Sequence, residues 1–430
     1  MALRAALAEV DITPEVPIEK VGWLRRVIGE KILDPIFAKV LVLESDGVRI
    51  GFVGLDLLSV RWTQVCQIRQ AAQAAGIPGA NVMVAATHNH AGPAVVSAGD
   101  TKRDDRYIEF MVGRVGQALK TALSSLAPAK IGTASGIEGR ISFIRRFIMK
   151  DGSTKTHAPA LSPDIRCAEG VIDPELGVLC VKDLKDTVLG FAVNFACHPT
   201  HHGGDNLISA GWPGQLSLGL KRIYGPGCVT VFLNGAFGNI HHANPYDPTF
   251  KNDMEFMGKT LAEDVQKLLP KMTFSDTAAL GAKATTVRLP LRDIDGPFGV
   301  NAKFPQPFGT PPIYQGAVYK LRLKKAERDH SLGEVQCLRI GDAAFVSIPA
   351  EYFVQHGLRI KTESPVHKTY VVGAANGMVG YVPHKEAFPR GGYETTLALW
   401  SKLAPEAGDL LADAAIELLG KNAPPGLRSR

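Results

Sequence analysis

The chain has 430 residues, of which 45% are hydrophobic and 21% charged, an ordinary globular composition that allows a substantial buried core. Its 48 basic and 42 acidic residues leave a net charge of +6, too small an excess to indicate nucleic acid as a partner. No run of about eighteen apolar residues predicts a membrane-spanning helix. Arg4, Glu9 and Asp11 interrupt any secretory signal at the start, so we expect a cytoplasmic protein.

Strand-like apolar runs alternate with amphipathic stretches along the whole chain. Strands are predicted at residues 40–43, 50–53, 82–86, 189–196, 229–233, 343–348 and 370–372. Helices are predicted at 62–75, 107–123, 215–223, 253–268, 352–361 and 395–419. This alternation indicates an α/β fold with a mostly buried, mixed central sheet and flanking helices.

The sequence contains no internal repeat and no long linker, so a single catalytic domain is predicted over residues 1–420, followed by a frayed tail at 421–430. The Pro- and Gly-rich stretch 296–312 is expected to form a loop or a lid over one face. The basic runs 145–146 and 320–325 are typical of solvated surface. The six cysteines are far apart and are expected to be reduced core residues.

Seven of the twelve histidines fall into three groups, and each group directly follows a predicted strand. The groups are THNH at 87–90, HPTHH at 198–202 and HH at 241–242. Because residues beyond the carboxyl ends of strands converge on the ligand crevice in α/β proteins, we expect the three groups to meet. Taken alone, His-x-His is also typical of a hydrogen-bonded surface pair, and the Gly92-Pro93 turn favours exposure of this loop.

Two further residues have ordinary explanations when each is considered alone. Glu351 follows Pro349 where a strand ends and opens the helix predicted at 352–361, a position that the helix dipole also favours. Tyr381 lies in the Gly-rich segment GMVGYVPH, where a packed ring with a satisfied hydroxyl is usual.

Several segments together resemble the neutral and alkaline ceramidases. ATHNHAGP at 86–93 resembles their ATHTHSGP segment, and NFACH at 194–198 resembles their second histidine segment. SIPAEYFVQHGLRI at 347–360 and MVGYVPHKEAFPRGGYE at 378–394 are similar to their PGE-then-helix segment and their tyrosine loop. VDITP at 10–14 and LDLLS at 55–59 also fit, so the resemblance extends from about residue 10 to about residue 400 in the family's order.

The resemblance implies a catalytic Zn²⁺ held by His88, His198, Glu351 and Tyr381. It also implies that His90 faces the scissile group and that Arg145 binds substrate, so His90, Tyr381 and Arg145 are the candidate catalytic residues. Two imidazoles and a carboxylate are donors suited to zinc, with a position left open for water.

Three departures from the family bear on the substrate. Gly235 occupies the position of a family serine in the turn 234–239, and 208–211 reads ISAG where the family has ISGD. The chain also ends soon after the catalytic region, so we expect no second, sandwich-like domain.

The leading expectation is hydrolysis of a C–N amide bond in a small-molecule or lipid N-acyl compound by a zinc-bound water. His202, His241 and His242 are candidates to protonate a leaving amine. Two alternatives stay open: a zinc-dependent esterase or lactonase, and a non-catalytic zinc- or carbohydrate-binding protein.

Overall fold

The computed structural model describes residues 2–307 and 310–422, apart from the side chain of residue 422. The strands, in chain order, are β1 (Arg4–Asp11), β2 (Ile18–Lys20), β3 (Val27–Gly29), β4 (Lys31–Ile32), β5 (Phe37–Ser45), β6 (Val48–Leu55), β7 (Val82–Ala86), β8 (Ala127–Ile137), β9 (Phe143–Ile144), β10 (Arg146–Met149), β11 (Thr154–Thr156), β12 (Ile165–Ala168), β13 (Glu175–Asp183), β14 (Val188–Phe195), β15 (Leu207–Ile208), β16 (Val229–Asn234), β17 (Ile240–His241), β18 (Leu280–Pro290), β19 (His330–Ile340), β20 (Ala343–Ser347), β21 (Glu351–Tyr352), β22 (Lys368–Val372) and β23 (Tyr381–Val382). The helices are α1 (Trp62–Ala75), α2 (Asp105–Ser124), α3 (Gly211–Tyr224), α4 (Met254–Leu268), α5 (Pro311–Glu327), α6 (Val354–Glu363) and α7 (Ala407–Asn422).

The central sheet has eight strands in the order β16-β14-β13-β8-β1-β5-β6-β7. The two outermost pairs, β14–β16 and β6–β7, are parallel, and the inner pairs are antiparallel. The predicted α/β class with a mixed, mostly buried central sheet is therefore confirmed. β1 pairs with β8 only through Arg4–Pro128 and Ala5–Ala127.

A second sheet, in the order β18-β19-β20-β22, packs against one face of the central sheet. Phe52 from the central sheet and Phe345 from the second sheet meet edge to face at 5.1 Å between ring centroids. Helices α1 to α4 cover the other face of the central sheet, and α6 and α7 pack on the outer face of the second sheet. Apolar side chains on both faces of the buried strands explain this four-layer arrangement.

Local signals set most helix boundaries. Asp104 and Asp253 cap α2 and α4 by accepting hydrogen bonds from Tyr107 N and Phe256 N. α1 ends at Gly76, whose φ of 103° suits glycine. The prediction of a helix at 395–419 is wrong in its first half, because α7 begins only after Pro405, which disfavours a helix before it.

The structure corrects several other expectations. The run 145–146 is not solvated surface, because Arg145 and Arg146 are both buried in ion pairs. The loop containing Gly92 and Pro93 is buried rather than exposed. All six cysteines are free, but Cys167 is exposed rather than part of the core.

Two segment predictions are only partly covered by the described residues. Within 296–312, α5 begins at Pro311, and residues 308–309 lie outside the described part. Of the predicted tail, residues 423–430 lie outside it as well. The single domain over 1–420 stays a prediction. Within residues 2–307 and 310–422, no helix is both long and apolar enough to cross a membrane.

Candidate metal centre

The ends of β7, β14 and β16 are joined by the side chain of Asn234, the last residue of β16. Its Nδ2 donates to the carbonyl oxygens of Thr87 at 3.0 Å and Cys197 at 2.9 Å, and its Oδ1 accepts from Cys197 N at 3.2 Å. Thr87 and Cys197 directly precede His88 and His198. Asn234 thereby brings the first two histidine groups together, and Thr200 links the third by bonding to His241 at 2.9 Å. The prediction that the three groups meet is confirmed.

Three imidazoles, those of His88, His90 and His198, form a cluster in which one ring nitrogen from each lies within 4.8 Å of the other two. In each ring, Nδ1 faces a backbone carbonyl oxygen: Leu58 at 2.8 Å for His88, Gly22 at 3.1 Å for His90, and Phe237 and Ile240, both at 2.9 Å, for His198. Because a carbonyl oxygen can only accept, each Nδ1 must carry the hydrogen. The lone pair is then on Nε2, the tautomer that ligates metals in this way.

The protonation states agree with this tautomer. Burial first, and then the Arg145 guanidinium, lower the pKa of His198 to about 3. Burial also lowers the pKa of His90 well below its ordinary value, with the neighbouring imidazoles adding to the effect. His88 has a φ of 68°, a left-handed conformation that non-glycine residues adopt mostly at functional sites. His90 and His198 thus present neutral rings as electron-pair donors.

Glu351 lies beside these rings because β21 and β23 pair in parallel, which sets Glu351 opposite Tyr381. The backbone of Gly238 packs against this strand: Gly238 N donates to Tyr352 O at 2.7 Å, and a Cβ on Gly238 would lie 2.4 Å from Glu351 O. Glu351 is therefore in a strand and not in a first helical turn, which corrects the helix-dipole interpretation. α6 begins only at Val354.

The contacts between Glu351 and the rings are the clearest sign of a cation-binding site. Glu351 Oε2 lies 3.3 Å from both His88 Nε2 and His198 Nε2. With each hydrogen on Nδ1, these are contacts between acceptors with no proton between them.

These distances fit a zinc ion. Two ligands about 2.0 Å from zinc at a tetrahedral angle are about 3.3 Å apart. Among the described residues, His88 Nε2 and His90 Nε2 are buried nitrogens without a hydrogen-bond partner, which is costly unless a ligand satisfies them. The group can hold a metal ion.

Tyr381 and Arg145 complete the rim of the cluster. The Tyr381 hydroxyl accepts from Arg145 Nη2 at 3.0 Å, and Arg145 Nη1 lies 3.5 Å from His198 Nε2. Burial raises the pKa of Tyr381 well above its ordinary value, so the hydroxyl stays neutral without a metal. All six predicted site residues thus lie together.

Tyr393 is a neighbour that the residue-level reasoning missed. Its ring meets that of Tyr381 edge to face at 5.5 Å between centroids. The signal was the YE pair that ends the segment 378–394. Tyr393 offers a further hydroxyl beside the cluster.

The three histidines considered as proton donors, His202, His241 and His242, bond to groups outside the cluster. His241 uses both ring nitrogens, with Nδ1 accepting from Ala243 N at 3.0 Å and Nε2 bonded to Thr200 at 2.9 Å. His242 Nε2 is bonded to the same hydroxyl, and His202 Nδ1 to Asp205 at 2.7 Å. The expectation that His241 protonates a leaving amine is therefore not supported by the geometry.

The two departures within the fold also have structural explanations. Gly235 N donates to Phe195 O at 3.0 Å, and a Cβ on Gly235 would lie 2.8 Å from Ala196 Cβ, so this glycine permits close packing and does not face a substrate. Ser209 Oγ donates to Asp34 at 2.6 Å, so Asp34 supplies a carboxylate beside the ISAG segment from another part of the chain.

No family model matches the chain. It is 24% identical to the neutral ceramidase of Pseudomonas aeruginosa over 499 aligned positions, which cover 96% of this chain and 72% of the ceramidase. A crystal structure of neutral ceramidase from Pseudomonas aeruginosa has the same fold, with a TM-score of 0.74, 21% identity and coverage of 98% of this chain and 75% of that one. A ceramidase complexed with C2 gives a TM-score of 0.75 and 19% identity, covering 98% and 76%. The chain is thus similar in sequence to a neutral ceramidase over nearly its whole length, and it shares the fold of the two ceramidase structures.

Proposed function

We propose that this chain is a zinc-dependent hydrolase that cleaves a C–N amide bond of an N-acyl compound. The observation that carries the proposal is the pair of 3.3 Å contacts from Glu351 Oε2 to the Nε2 atoms of His88 and His198. In neutral rings, the backbone carbonyls hold the hydrogen on Nδ1, so that neither contact has a proton in it. A divalent cation is the group that satisfies all three atoms.

The donor set favours zinc over the other common divalent ions. Two imidazole nitrogens and one carboxylate oxygen suit zinc, whereas calcium and magnesium take oxygen ligands. His88, His198, Glu351 and Tyr381 would hold the ion, as the family resemblance also implies. A zinc ion in such a centre lowers the pKa of a coordinated water toward neutrality and polarises a carbonyl oxygen.

The protein residues around the ion have separate tasks. Arg145 and the Tyr381 hydroxyl are aimed at the same side of the cluster, where they can stabilise the charge that develops on a carbonyl oxygen. His90 is close to the other two rings, yet His88 and His198, and not His90, lie at ion-pair distance from Glu351 among the described residues. We therefore assign His90 to the substrate rather than to the metal.

The substrate class follows from the relative with which the chain aligns. That relative is a neutral ceramidase, and ceramide is an N-acyl lipid amide. Because Gly235 replaces the family serine and cannot attack a carbonyl, we propose direct attack by water and no acyl-enzyme. A smaller or more polar N-acyl compound is as good a candidate as ceramide.

A cytoplasmic location stays a prediction.

The test is a mass-spectrometric screen of purified, zinc-loaded protein against mixed amides, esters and lactones, with ceramide among the amides. We expect release of an amine and a carboxylic acid by the native protein and none by His88→Ala. Turnover of esters or lactones alone would favour the alternative hydrolase. Protein that binds no zinc would overturn the proposal.

A further inference from the structure

Arg145 is held by contacts on both sides of its guanidinium. Nη2 donates to Tyr381 and to Gly238 O at 2.7 Å, on the side of the metal centre. On the other side, Nε donates to Glu394 Oε1 at 2.8 Å. Arg145 is only 6% exposed, so water cannot replace these partners readily.

Glu394 has no freedom to rotate away from Arg145. It is fully buried, and its second oxygen, Oε2, accepts from Arg146 Nη1 at 2.6 Å and from Thr156 Oγ1 at 2.7 Å. Its backbone carbonyl accepts from Ser401 Oγ at 2.6 Å. Both the backbone and the carboxylate of Glu394 are therefore fixed, and with them the direction in which Oε1 points.

A second ion pair supports the first from behind. Arg146 is fully buried and makes a two-point contact with Glu169, whose Oε1 also accepts from Thr154 Oγ1 at 2.7 Å. Two arginines and two glutamates therefore balance in charge, and each carboxylate has a hydroxyl partner. Such a closed network permits a buried arginine to keep one orientation, because moving any member would leave a buried charge unpaired.

We propose that Glu394 is a positioning residue that fixes the Arg145 guanidinium against Tyr381 and His198. Arg146 and Glu169 hold Glu394 in turn. The inference rests on the proposed function, because it assigns Glu394 to the reaction only through Arg145. A purely structural ion pair would change stability without changing the rate constant of the folded protein, and this difference makes the proposal testable.

The decisive experiment is a double-mutant cycle with Glu394→Gln, Arg145→Ala and the double variant. Each zinc-loaded protein is assayed for kcat, KM and zinc content on an amide that the native protein hydrolyses. We expect Glu394→Gln to keep its zinc, to leave KM within about threefold and to lower kcat at least about tenfold. The double variant should be no slower than Arg145→Ala alone, since both changes remove the same interaction.

Glu44→Gln is the matched control. Glu44 is also bridged by two arginines, Arg4 and Arg49, but at the end of the sheet away from the metal centre. It should keep full kcat. If the two falls in kcat multiplied in the double variant, the proposal would be overturned. Full kcat in Glu394→Gln would overturn it as well.

Two additions keep the result readable if Glu394→Gln does not fold or if no substrate is found. Thr156→Val removes only one bond to Glu394 and should lower kcat a fewfold with zinc retained; full kcat with a folded protein would count against the proposal.

The second addition needs no substrate. The Nε–H of Arg145, assigned in ¹⁵N spectra by its loss in Arg145→Lys, should be protected from solvent exchange in native protein and exchange rapidly in Thr156→Val or Glu394→Gln. If the protection were unchanged in these variants, the positioning role would be overturned. If the variants lost the protection but the native protein hydrolysed nothing, only the proposed function would fail.

Discussion

In His88, His90 and His198, backbone carbonyls rather than acidic side chains determine which ring nitrogen carries the hydrogen. His88 and His198 each place Nε2 3.3 Å from the same oxygen of Glu351, as two ligands of one ion would. His88→Ala and His198→Ala are expected to lose metal and activity together, because each removes a ligand. Elemental analysis of the purified variants beside His367→Ala, an exposed histidine, checks this. Stoichiometric zinc in His88→Ala would show that the centre is elsewhere.

His90 should behave differently from these two. Its Nδ1 is bonded to Gly22 O, and its Nε2 has no protein partner. His90→Ala is expected to keep most of its zinc while kcat falls by about 10², the usual scale for one lost acid–base group. Parallel zinc and rate measurements decide the matter. If metal and activity fell in proportion, the roles of His88 and His90 would have to be exchanged.

Among the elements, the turn at 234–239 is shaped by packing and not by nucleophilic chemistry. Gly235→Ser is expected to lower the free energy of unfolding by about 1–3 kcal/mol, because its Cβ would press on Ala196. The same change at Gly227, where a Cβ meets nothing within 4 Å, is the control. Urea unfolding measures both.

The same turn yields a kinetic prediction for the native protein. Rapid-quench samples analysed by intact mass should contain no acylated chain, and product should form without a burst, because no hydroxyl in the turn can attack. An adduct on any serine would contradict this. Ser209 is an improbable carrier, since its hydroxyl is bonded to Asp34.

The elements also show what can be predicted from the sequence. The apolar runs at 82–86 and 229–233 and the histidines after them were sufficient to predict buried strands that end at a common site. Strand β18 escaped prediction because only one of its eleven residues, Leu289, is buried, so the strand lacks an apolar pattern. α5 escaped because it buries only Ala317 and Leu321.

Long-range partners were beyond such reasoning. Arg146 was expected at the surface because a pair of adjacent arginines carries no mark of burial. Its partners, Glu169 and Glu394, are far away along the chain, and only the fold brings the three together. The hydrogen bonds by which Asn234 links Thr87 and Cys197 could not be predicted, for the same reason.

For the molecule as a whole, Glu394 links stability to pH. Burial opposes its ionisation, but Arg146 and Arg145 lower its pKa from 4.5 to about 2. Because the folded-state pKa is the lower one, the stabilisation is complete above pH 4.5 and is lost as the pH falls toward 2, by about 3 kcal/mol. Urea unfolding of native protein and Glu394→Gln from pH 7 to pH 3 should therefore give a stability difference that shrinks below pH 4.5. A difference independent of pH would contradict the prediction.

Metal binding should also stabilise the entire fold. Zinc at about 1,000 times its Kd adds about 4 kcal/mol, which corresponds to a Tm rise of about 4 °C for a chain of this length. Calorimetry with zinc and after chelation measures the change. His88→Ala should show no zinc-dependent rise, and a rise of equal size in that variant would mean that zinc acts at another place.

The side chain of Asn234 has a consequence for the order in which the chain folds. Its bonds to Thr87 and Cys197 close very long loops, and such contacts form only after much of the surrounding sheet has been assembled. The two ligating rings are therefore far apart in any partly folded chain, and Glu351 joins them only once the second sheet has docked. Capture of the ion is then a late event in folding. If the centre holds zinc as proposed, binding of the ion reports that the whole chain has reached its native arrangement and has little influence on the route by which the chain gets there.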